Sequence, residues 1–263
     1  MNNGKNKDMD AVIRHFDRLS ATGKWSQLYS ELDGVNYHFQ IRRARVLELL
    51  PEKLGDVLDV GCGPGVMAEA VTERGGTMLG IDISPEMVKE ATEKFAHLKN
   101  VRFEVGNVED LHLPDESFDL VVCMAVVEYL SEPDKMLREI SRVLRKGGLV
   151  LVTVPKRRHI DRLTIALTTP FRKLAKAFVE AQSDALPRLA MQPDELDSAA
   201  VRAGLEFAAG RQYQFTPIPY PLTRIAPDLF LKLNLPFEKW TATRNPVLSY
   251  FGHGYIGLYQ KPA

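Results

Sequence analysis

The sequence predicts an α/β fold built around a largely parallel sheet. After residue 50, short β-rich runs alternate with amphipathic helical stretches, which is the pattern of strand–helix–strand units. The runs Val57–Val60 and Leu120–Val122 are apolar nearly throughout, as expected of strands covered by helices on both faces. Helix-start and helix-stop signals separate the runs, among them Ser84-Pro85 and Lys146-Gly147-Gly148. These three observations favour right-handed crossovers between parallel strands.

The individual elements follow from the periodicity of the apolar residues. Helices are expected near residues 11–20, 24–32, 37–50, 65–74, 84–96, 132–145 and 193–203. Strands are expected at Val57–Val60, Thr77–Asp82, Val101–Val105, Phe118–Cys123, Leu149–Val154, 205–215 and Tyr250–Gln260. Ser84 should cap the helix that follows it, and Ser131 should cap the helix near 132 in a capping box with Asp134.

The order of these elements divides the chain into four regions. Residues 1–36 should form a helical cap, and residues 37–155 the core of strands and helices. Residues 156–192 should form a basic helical insertion, and residues 193–263 complete the sheet with a second insertion at 216–248. Both insertions leave the sheet at the carboxyl ends of strands, so we expect them to act as lids.

Composition narrows the class of protein. The 263 residues include 34 Lys and Arg against 34 Asp and Glu, so no global charge attracts the chain to nucleic acid. Its two cysteines, Cys62 and Cys123, lie in apolar runs and predict buried thiols in a reducing compartment. Residues 1–10 carry no secretory signal, and no run reaches the roughly 20 apolar residues of a membrane span. We therefore expect a cytoplasmic protein, monomeric or dimeric, unless it binds to a membrane surface.

The strongest functional signal is the run Val57-Leu58-Asp59-Val60-Gly61-Cys62-Gly63-Pro64-Gly65. A buried strand leads into a glycine-rich turn at the start of a helix, where backbone amides can approach a ligand closely. The spacing is G-x-G-x-G, whereas a dinucleotide fold would need a glycine in place of Val66. Asp59 would repel a pyrophosphate but attract the ammonium group of a methionine moiety. The pattern therefore favours S-adenosylmethionine (SAM), whose demethylated form is S-adenosylhomocysteine (SAH), over NAD.

Positions after the next strands complete the predicted cofactor site. Asp82 can accept hydrogen bonds from an unphosphorylated ribose, although a strand-end Asp can also cap a helix. Ile83 and Met87 can flank adenine or belong to the core, and the Asn107 carbonyl can accept from the adenine amino group. The predicted cofactor-binding residues are Asp59, Gly61, Cys62, Gly63, Gly65, Asp82, Ile83, Met87, Asn107, Val108 and Met124.

Four ordered segments resemble the successive motifs of class I SAM-dependent methyltransferases. They read VLDVGCGPG, IDIS, GNVEDLHLPDESFDLVV and YLSEPDKMLREISRVLRKGGLVLVTVP. The similarity covers about residues 37–155 and is closest to the small-molecule group that includes the ubiquinone and menaquinone methyltransferases. The resemblance implies a Rossmann-like sheet of seven strands with helices on both faces. It also implies an antiparallel last strand and a cofactor across the carboxyl ends of the first strands.

The chain departs from these relatives at two places. Many relatives carry Asp where this chain has Asn107, which should weaken adenine binding slightly. Ubiquinone O-methyltransferases carry a Glu-x-x-Glu-His run that is thought to hold a divalent metal. The run Ala125-Val126-Val127-Glu128-Tyr129 lacks the first acid and the histidine, so we expect a reaction without a metal. The Asn-Pro-Pro-Tyr signature of DNA amino-methylating enzymes is also absent, which argues against a nucleic-acid substrate.

Residues that bind the methyl acceptor are harder to assign, because methyl transfer needs mainly alignment and exclusion of water. The catalytic candidates at strand ends are Tyr129 after the fourth strand and His159 after the fifth. Residues 156–179 carry seven basic side chains and one acidic one, and residues 216–248 are rich in aromatic and aliphatic side chains. The sequence leaves two alternatives open: lids that only pack on the core, or binding of a lipophilic acceptor with an anionic end, an acidic carrier or an anionic membrane. A polar metabolite as acceptor and a regulatory SAM-binding module also remain open.

Overall fold

The computed structural model describes residues 9–30, 37–156, 186, 188–215, 227–241 and 252–263. His159, nearly all of the predicted basic insertion and the outer parts of the second insertion lie outside these ranges. The expected cap at Asn36, which precedes a described helix, lies outside them as well.

Seven strands form one mixed sheet in the order β3-β2-β1-β4-β5-β7-β6. The strands are β1 Asp56–Val60, β2 Thr77–Asp82, β3 Val101–Val105, β4 Phe118–Cys123, β5 Leu144–Pro155, β6 Glu206–Phe215 and β7 Gly252–Gln260. Strands β3, β2, β1, β4 and β5 pair in parallel, whereas β7 runs antiparallel to both β5 and β6. The predicted seven-stranded, mostly parallel sheet with an antiparallel last strand is confirmed. The strand order reverses between β1 and β4, which is the position where open α/β sheets bind ligands.

Helices cover both faces of the sheet. They are α1 Met9–Ala21, α2 Lys24–Ser30, α3 Tyr37–Leu47, α4 Ala68–Glu73, α5 Pro85–Lys94, α6 Pro133–Val143, α7 Pro193–Arg202 and α8 Pro227–Thr241. Alternate strand residues point to opposite faces, so Leu58 packs with α6 and α7 while Val57 packs with α3 and α4. Both side chains are fully buried, as the apolar runs predicted. No helix among the residues that the structure describes is both long enough and apolar enough to span a membrane.

One of the two predicted helix caps is present and the other is wrong. The Ser84 hydroxyl accepts a hydrogen bond from the Met87 amide at 3.2 Å and caps α5. Helix α6 instead begins at Pro133, with Glu132 as its N-cap and no side-chain capping bond. Proline prefers the first helical position, so Pro133 fixes the cap one residue later than Ser131.

The connection between α6 and β5 also differs from the sequence prediction. Strand β5 begins at Leu144, directly after the helix, because Leu144 already pairs with Phe118 of β4. The Lys146-Gly147-Gly148 signal therefore lies inside the strand, where Gly147 adopts a φ of 76°. Helix α8 was not predicted from the sequence, since it contains Pro236 and proline normally interrupts a helix.

Helices α1 and α2, which we call the roof, attach to α5 through side chains. Ser20 and Ser26 both donate hydrogen bonds to the carboxylate of Glu90, the first at 2.6 Å. Asp17 accepts a further hydrogen bond from the hydroxyl of Ser84. These contacts hold the roof over the carboxyl edge of β2, beside the turn that follows β1.

Candidate active site

A pocket opens at the carboxyl edge of the sheet, beneath the roof. Its loop half is formed by the turns that follow β1, β2 and β3, and its roof half by α1, α2 and the turn that follows β4. The predicted site residues that line it are Gly61, Cys62, Gly63, Asp82, Ile83, Met87, Asn107, Val108, Met124 and Tyr129. Asp59 and Gly65 do not line the pocket, and His159 lies outside the described residues.

Positive φ angles shape the turn after β1. Gly61, Gly63 and Gly65 have φ values of 68°, 51° and 77°, which side chains rarely adopt. A Cβ atom at Gly61 would overlap the Val126 side chain, and one at Gly65 would lie 2.8 Å from Phe95 and Phe103. Glycine is therefore required both for the backbone path and for close packing around the turn.

The Asp82 carboxylate holds two of the loops together. Its Oδ2 accepts a hydrogen bond from the Gly63 amide at 2.8 Å, and its Oδ1 accepts one from the Ser84 amide at 2.9 Å. Burial raises the pKa of Asp82, although the backbone amides around the carboxylate act to lower it. Each carboxylate oxygen has a second lone-pair direction, so these bonds leave acceptor capacity toward the pocket.

Asp59 is the most unusual group near the loop half. It is buried, and its Oδ2 has no hydrogen-bond partner among the described residues. Burial, together with the negative charge of Asp82, raises the pKa of Asp59 to about 8. An unsatisfied buried carboxylate is costly, so a cationic ligand group next to it would remove that cost. The residues present thus fit the ammonium group of SAM.

Asn107 and Cys62 have local partners that bear on their predicted roles. The Asn107 carbonyl oxygen accepts a hydrogen bond from the Glu109 amide at 2.9 Å, which fixes the side chain after β3. One lone pair of that oxygen remains for an adenine amino group. Burial raises the pKa of the Cys62 thiol well above its ordinary value, so the thiol stays neutral.

The turn after β4 places Tyr129 in the roof half. Ala125 adopts a φ of 63°, and its amide donates to the Thr153 hydroxyl at 2.9 Å. Burial raises the pKa of Tyr129 to about 12, with Glu128 adding to the effect. No described residue forms a hydrogen bond with the Tyr129 hydroxyl. The phenol is therefore protonated near neutral pH and can donate a hydrogen bond to a ligand.

Aromatic side chains from the roof complete the pocket. The ring of Phe16 lies edge-on to Tyr129 and to Trp25, with centroid distances of 5.1 and 5.5 Å. Above them, the Arg188 guanidinium lies 5.7 Å from the centre of the Tyr129 ring. Sequence reasoning missed Phe16 and Trp25, although the spacing of Val12 and Phe16 on one face of α1 was an available signal.

Comparison with known proteins agrees with this architecture. The model of a family described as "Methyltransferase domain" matches residues 58–152, which run from within β1 to within β5. A ubiquinone biosynthesis O-methyltransferase from Hydrogenovibrio crunogenus is 24% identical over 226 residues, covering 83% of this chain and 88% of that protein. An uncharacterized 37.1 kDa protein from Streptomyces fradiae is 33% identical over 164 residues, which are 60% of this chain and 46% of that protein. The chain thus spans about half the length of the second relative.

Solved structures share the fold at lower identity. A putative methyltransferase from Haloferax volcanii, solved in complex with the Trm112 methyltransferase activator, aligns with a TM-score of 0.65 and 22% identity. That alignment covers 94% of this chain and 98% of the other. Magnesium protoporphyrin IX methyltransferase from Synechocystis, with bound SAH, aligns with a TM-score of 0.61 and 15% identity over 97% of this chain and all of that one. Domain match, relatives and shared sheet lead to one conclusion: residues 58–152 match the methyltransferase-domain family, and the chain is similar to SAM-dependent methyltransferases.

Proposed function

We propose that this protein transfers the methyl group of SAM to a small acceptor that is lipophilic or anionic. The observation that carries the proposal is the unpartnered, buried Oδ2 of Asp59 beneath a glycine turn that leads into an aromatic-lined pocket. The first feature suits the methionine end of SAM, and the second suits an apolar acceptor. The two features lie at one sheet edge, so donor and acceptor can meet there.

The loop half is proposed to bind SAM, which supplies an activated methyl group on a sulfonium ion. Asp59 balances the ammonium charge, and Asp82 accepts from the ribose hydroxyls. Ile83, Met87 and Val108 enclose the adenine, with Asn107 at its amino edge. Met124 and the backbone around Gly61 lie near the reacting end, where they limit the space open to water.

The roof half is proposed to bind the acceptor. Phe16 and Trp25 exclude water, and Tyr129 donates a hydrogen bond that orients the acceptor. His159 is retained as a candidate base for an acceptor that must lose a proton. The Arg188 guanidinium beside Tyr129 favours an acceptor with an anionic group. The basic residues of the predicted insertion favour the same kind of acceptor. The enzyme is proposed to work in the cytoplasm, free or against an anionic membrane surface.

A specific neighbour keeps a second function under consideration. A protein described as the [4+2]-cyclase SpnF aligns with a TM-score of 0.56 and 22% identity over 83% of this chain. The fold alone therefore does not establish methyl transfer. For this chain the alternative to methyl transfer is a non-catalytic SAM-binding regulatory module.

Calorimetry followed by a turnover assay tests the proposal. We expect SAM and SAH to bind and NAD to show no measurable heat. Incubation with SAM and a small-molecule cell extract should then release SAH and yield products one methylene heavier by mass spectrometry. Tight NAD binding would contradict the cofactor assignment, and SAM binding without SAH release from any extract would favour the regulatory module.

A further inference from the structure

Arg42 of α3 is a buried cation next to the roof half. Its side chain is almost entirely enclosed, and its Nη2 donates a hydrogen bond to the Tyr29 hydroxyl at 3.0 Å. The guanidinium also lies 5.3 Å from the centre of the Phe39 ring. Arg42 itself does not line the pocket, whereas Tyr29 does. Tyr29 therefore stands between a fixed positive charge and any ligand bound there.

The surroundings of Arg42 keep it charged. Burial acts to lower the pKa of the guanidinium, but Tyr29, Tyr213 and Glu128 raise it further than burial lowers it. The Tyr213 hydroxyl lies close to both Arg42 and Thr153, and burial raises the pKa of Tyr213 to about 12. Arg42 thus remains a cation, and the Tyr213 phenol beside it remains neutral.

The hydrogen bond from Arg42 fixes what the Tyr29 hydroxyl can do. A phenol that accepts a hydrogen bond still has one proton to donate. No described residue accepts that proton, and Tyr29 lines the pocket. Tyr129 also lines the pocket, and no described residue accepts a hydrogen bond from its hydroxyl. Two O–H donors, one of them polarised by a cation, call for an oxygen acceptor on the ligand.

The two adjacent arginines of α3 indicate whether that oxygen belongs to the methyl acceptor or to SAM. Arg43 reaches the glycine turn, where its Nε donates to the Val66 carbonyl at 2.9 Å. Arg42 instead interacts with Glu128 after β4 and with Tyr213 of β6. Tyr29 therefore lies on the side of the pocket where we place the acceptor, although the carboxylate of SAM could also accept its hydrogen bond.

We propose that Tyr29 donates a hydrogen bond to a carboxylate or phenolate oxygen of the acceptor, and that Arg42 is the positioning residue that holds Tyr29 in this orientation. The inference rests on the proposed methyl transfer and narrows its acceptor to a compound with an ionised oxygen. In a largely apolar pocket such a charge-assisted bond discriminates against a neutral analogue.

Binding of benzoate and benzamide to the SAH-saturated protein tests this inference. The two probes match in size and differ in charge, and ligand-observed NMR titration measures their affinities. We expect benzoate to bind more tightly than benzamide. Tyr29→Phe should weaken benzoate binding at least about tenfold, as expected when a hydrogen bond to a charged group is lost. The same variant should leave benzamide affinity and the calorimetric SAH affinity within about twofold of wild type. Tyr255→Phe is the matched control, because its hydroxyl bonds to Asp197 outside the pocket and its loss should change neither affinity.

Arg42 variants test the positioning role. Arg42→Met should weaken benzoate as Tyr29→Phe does, and Arg42→Lys should restore most of the affinity, both with the SAH affinity preserved. Equal binding of the two probes, or binding of neither, overturns the inference while leaving the proposed cofactor intact. Loss of SAH affinity in Tyr29→Phe also overturns it, because the donor would then serve the SAM carboxylate. Failure of wild type to bind SAH would instead contradict the proposed function itself.

Discussion

The loop half and the roof half of the pocket are built in different ways. The loop half consists of three short turns, each directly after a strand, and glycines at positive φ set the path of the first. The roof half consists of side chains from α1, α2 and the turn after β4, which touch mainly through the edges of aromatic rings. Backbone geometry tolerates few substitutions, whereas aromatic packing tolerates many. A family can therefore keep one cofactor and change acceptors.

The comparison predicts the largest effect for a change in the first turn. Gly61→Ala forces a side chain into a left-handed conformation and against Val126. The turn should move to relieve strain and overlap that together reach about 3 kcal/mol, and SAH binding must then restore its path, so SAH affinity should fall by about 100-fold or more in calorimetry. Gly75→Ala is the matched control, because Gly75 has a φ of 78° but open space around it. It should lower the melting temperature by a few degrees, as expected for about 1–2 kcal/mol of strain, and leave SAH affinity unchanged. Equal effects of the two variants on binding would contradict the role assigned to the turn.

Asp59→Asn should weaken SAH binding by about 30-fold, since a buried partner of the ammonium group is lost. The same substitution should alter how stability depends on pH. The pKa of Asp59 is raised to about 8, whereas an unfolded Asp titrates near about 3.9. Stability from the neutral carboxyl is therefore complete below about pH 4 and is lost as pH rises through about 8.

Melting temperatures between pH 6 and pH 9 measure this effect. The free wild-type protein should lose stability over that range, and Asp59→Asn should lose less. The Asp82 carboxyl, whose pKa is also raised, contributes in the same direction in both proteins. Saturating SAH should reduce the loss in wild type only. Parallel pH profiles for the two proteins would contradict the role of the Asp59 carboxyl in this loss of stability.

Asp82→Ala should weaken SAM binding by about tenfold, in line with the loss of a hydrogen-bond acceptor worth roughly 1–3 kcal/mol. The structure adds a second expectation, because the Gly63 and Ser84 amides also lose their partner. The melting temperature should therefore fall even without ligand. Unchanged affinity together with lower stability would mean that Asp82 only connects the two loops and does not bind the ribose.

In the roof half we expect a smaller effect on ligand affinity when the charge of Arg188 is reversed. Arg188→Glu should weaken benzoate binding by about threefold, because Arg188 is an exposed cation beside Tyr129 and an exposed ion pair contributes roughly 0.2–1 kcal/mol. The effect should shrink with added salt, since exposed charges are screened over about 8 Å. Arg102→Glu, on the exposed edge strand β3, is the control. The same loss in both variants would mean that only net charge matters.

The smallest effect is expected from metal removal. A chelator should leave turnover unchanged, because Ala125 and Tyr129 occupy the positions of the first acid and the histidine in the metal-holding run of the ubiquinone enzymes. Activity assays with and without chelator, then with magnesium, measure this. Complete loss that magnesium restores would contradict the expectation.

The same contrast explains how much could be predicted from sequence. Strands β2, β3 and β4 have the predicted bounds. Strands β2 and β4 are nearly continuous apolar runs, and the edge strand β3 alternates apolar and polar residues, each between turn signals. Ten predicted site residues meet in one pocket, because they follow strands that end at one edge. Phe16 and Trp25 were missed since a roof residue gains its role only through tertiary contacts. Helix α8 was missed because packing against the core outweighs the proline inside it.

Glu90 gives the roof one shared point of attachment, since both Ser20 and Ser26 donate to its carboxylate. Trp25 faces the glycine turn and Phe16 faces Tyr129, so the roof covers the two halves at once. One opening movement must then admit both reactants and release both products. We therefore expect this opening movement to limit turnover. Weakening the attachment at Glu90 would then raise the turnover number and the Michaelis constant together.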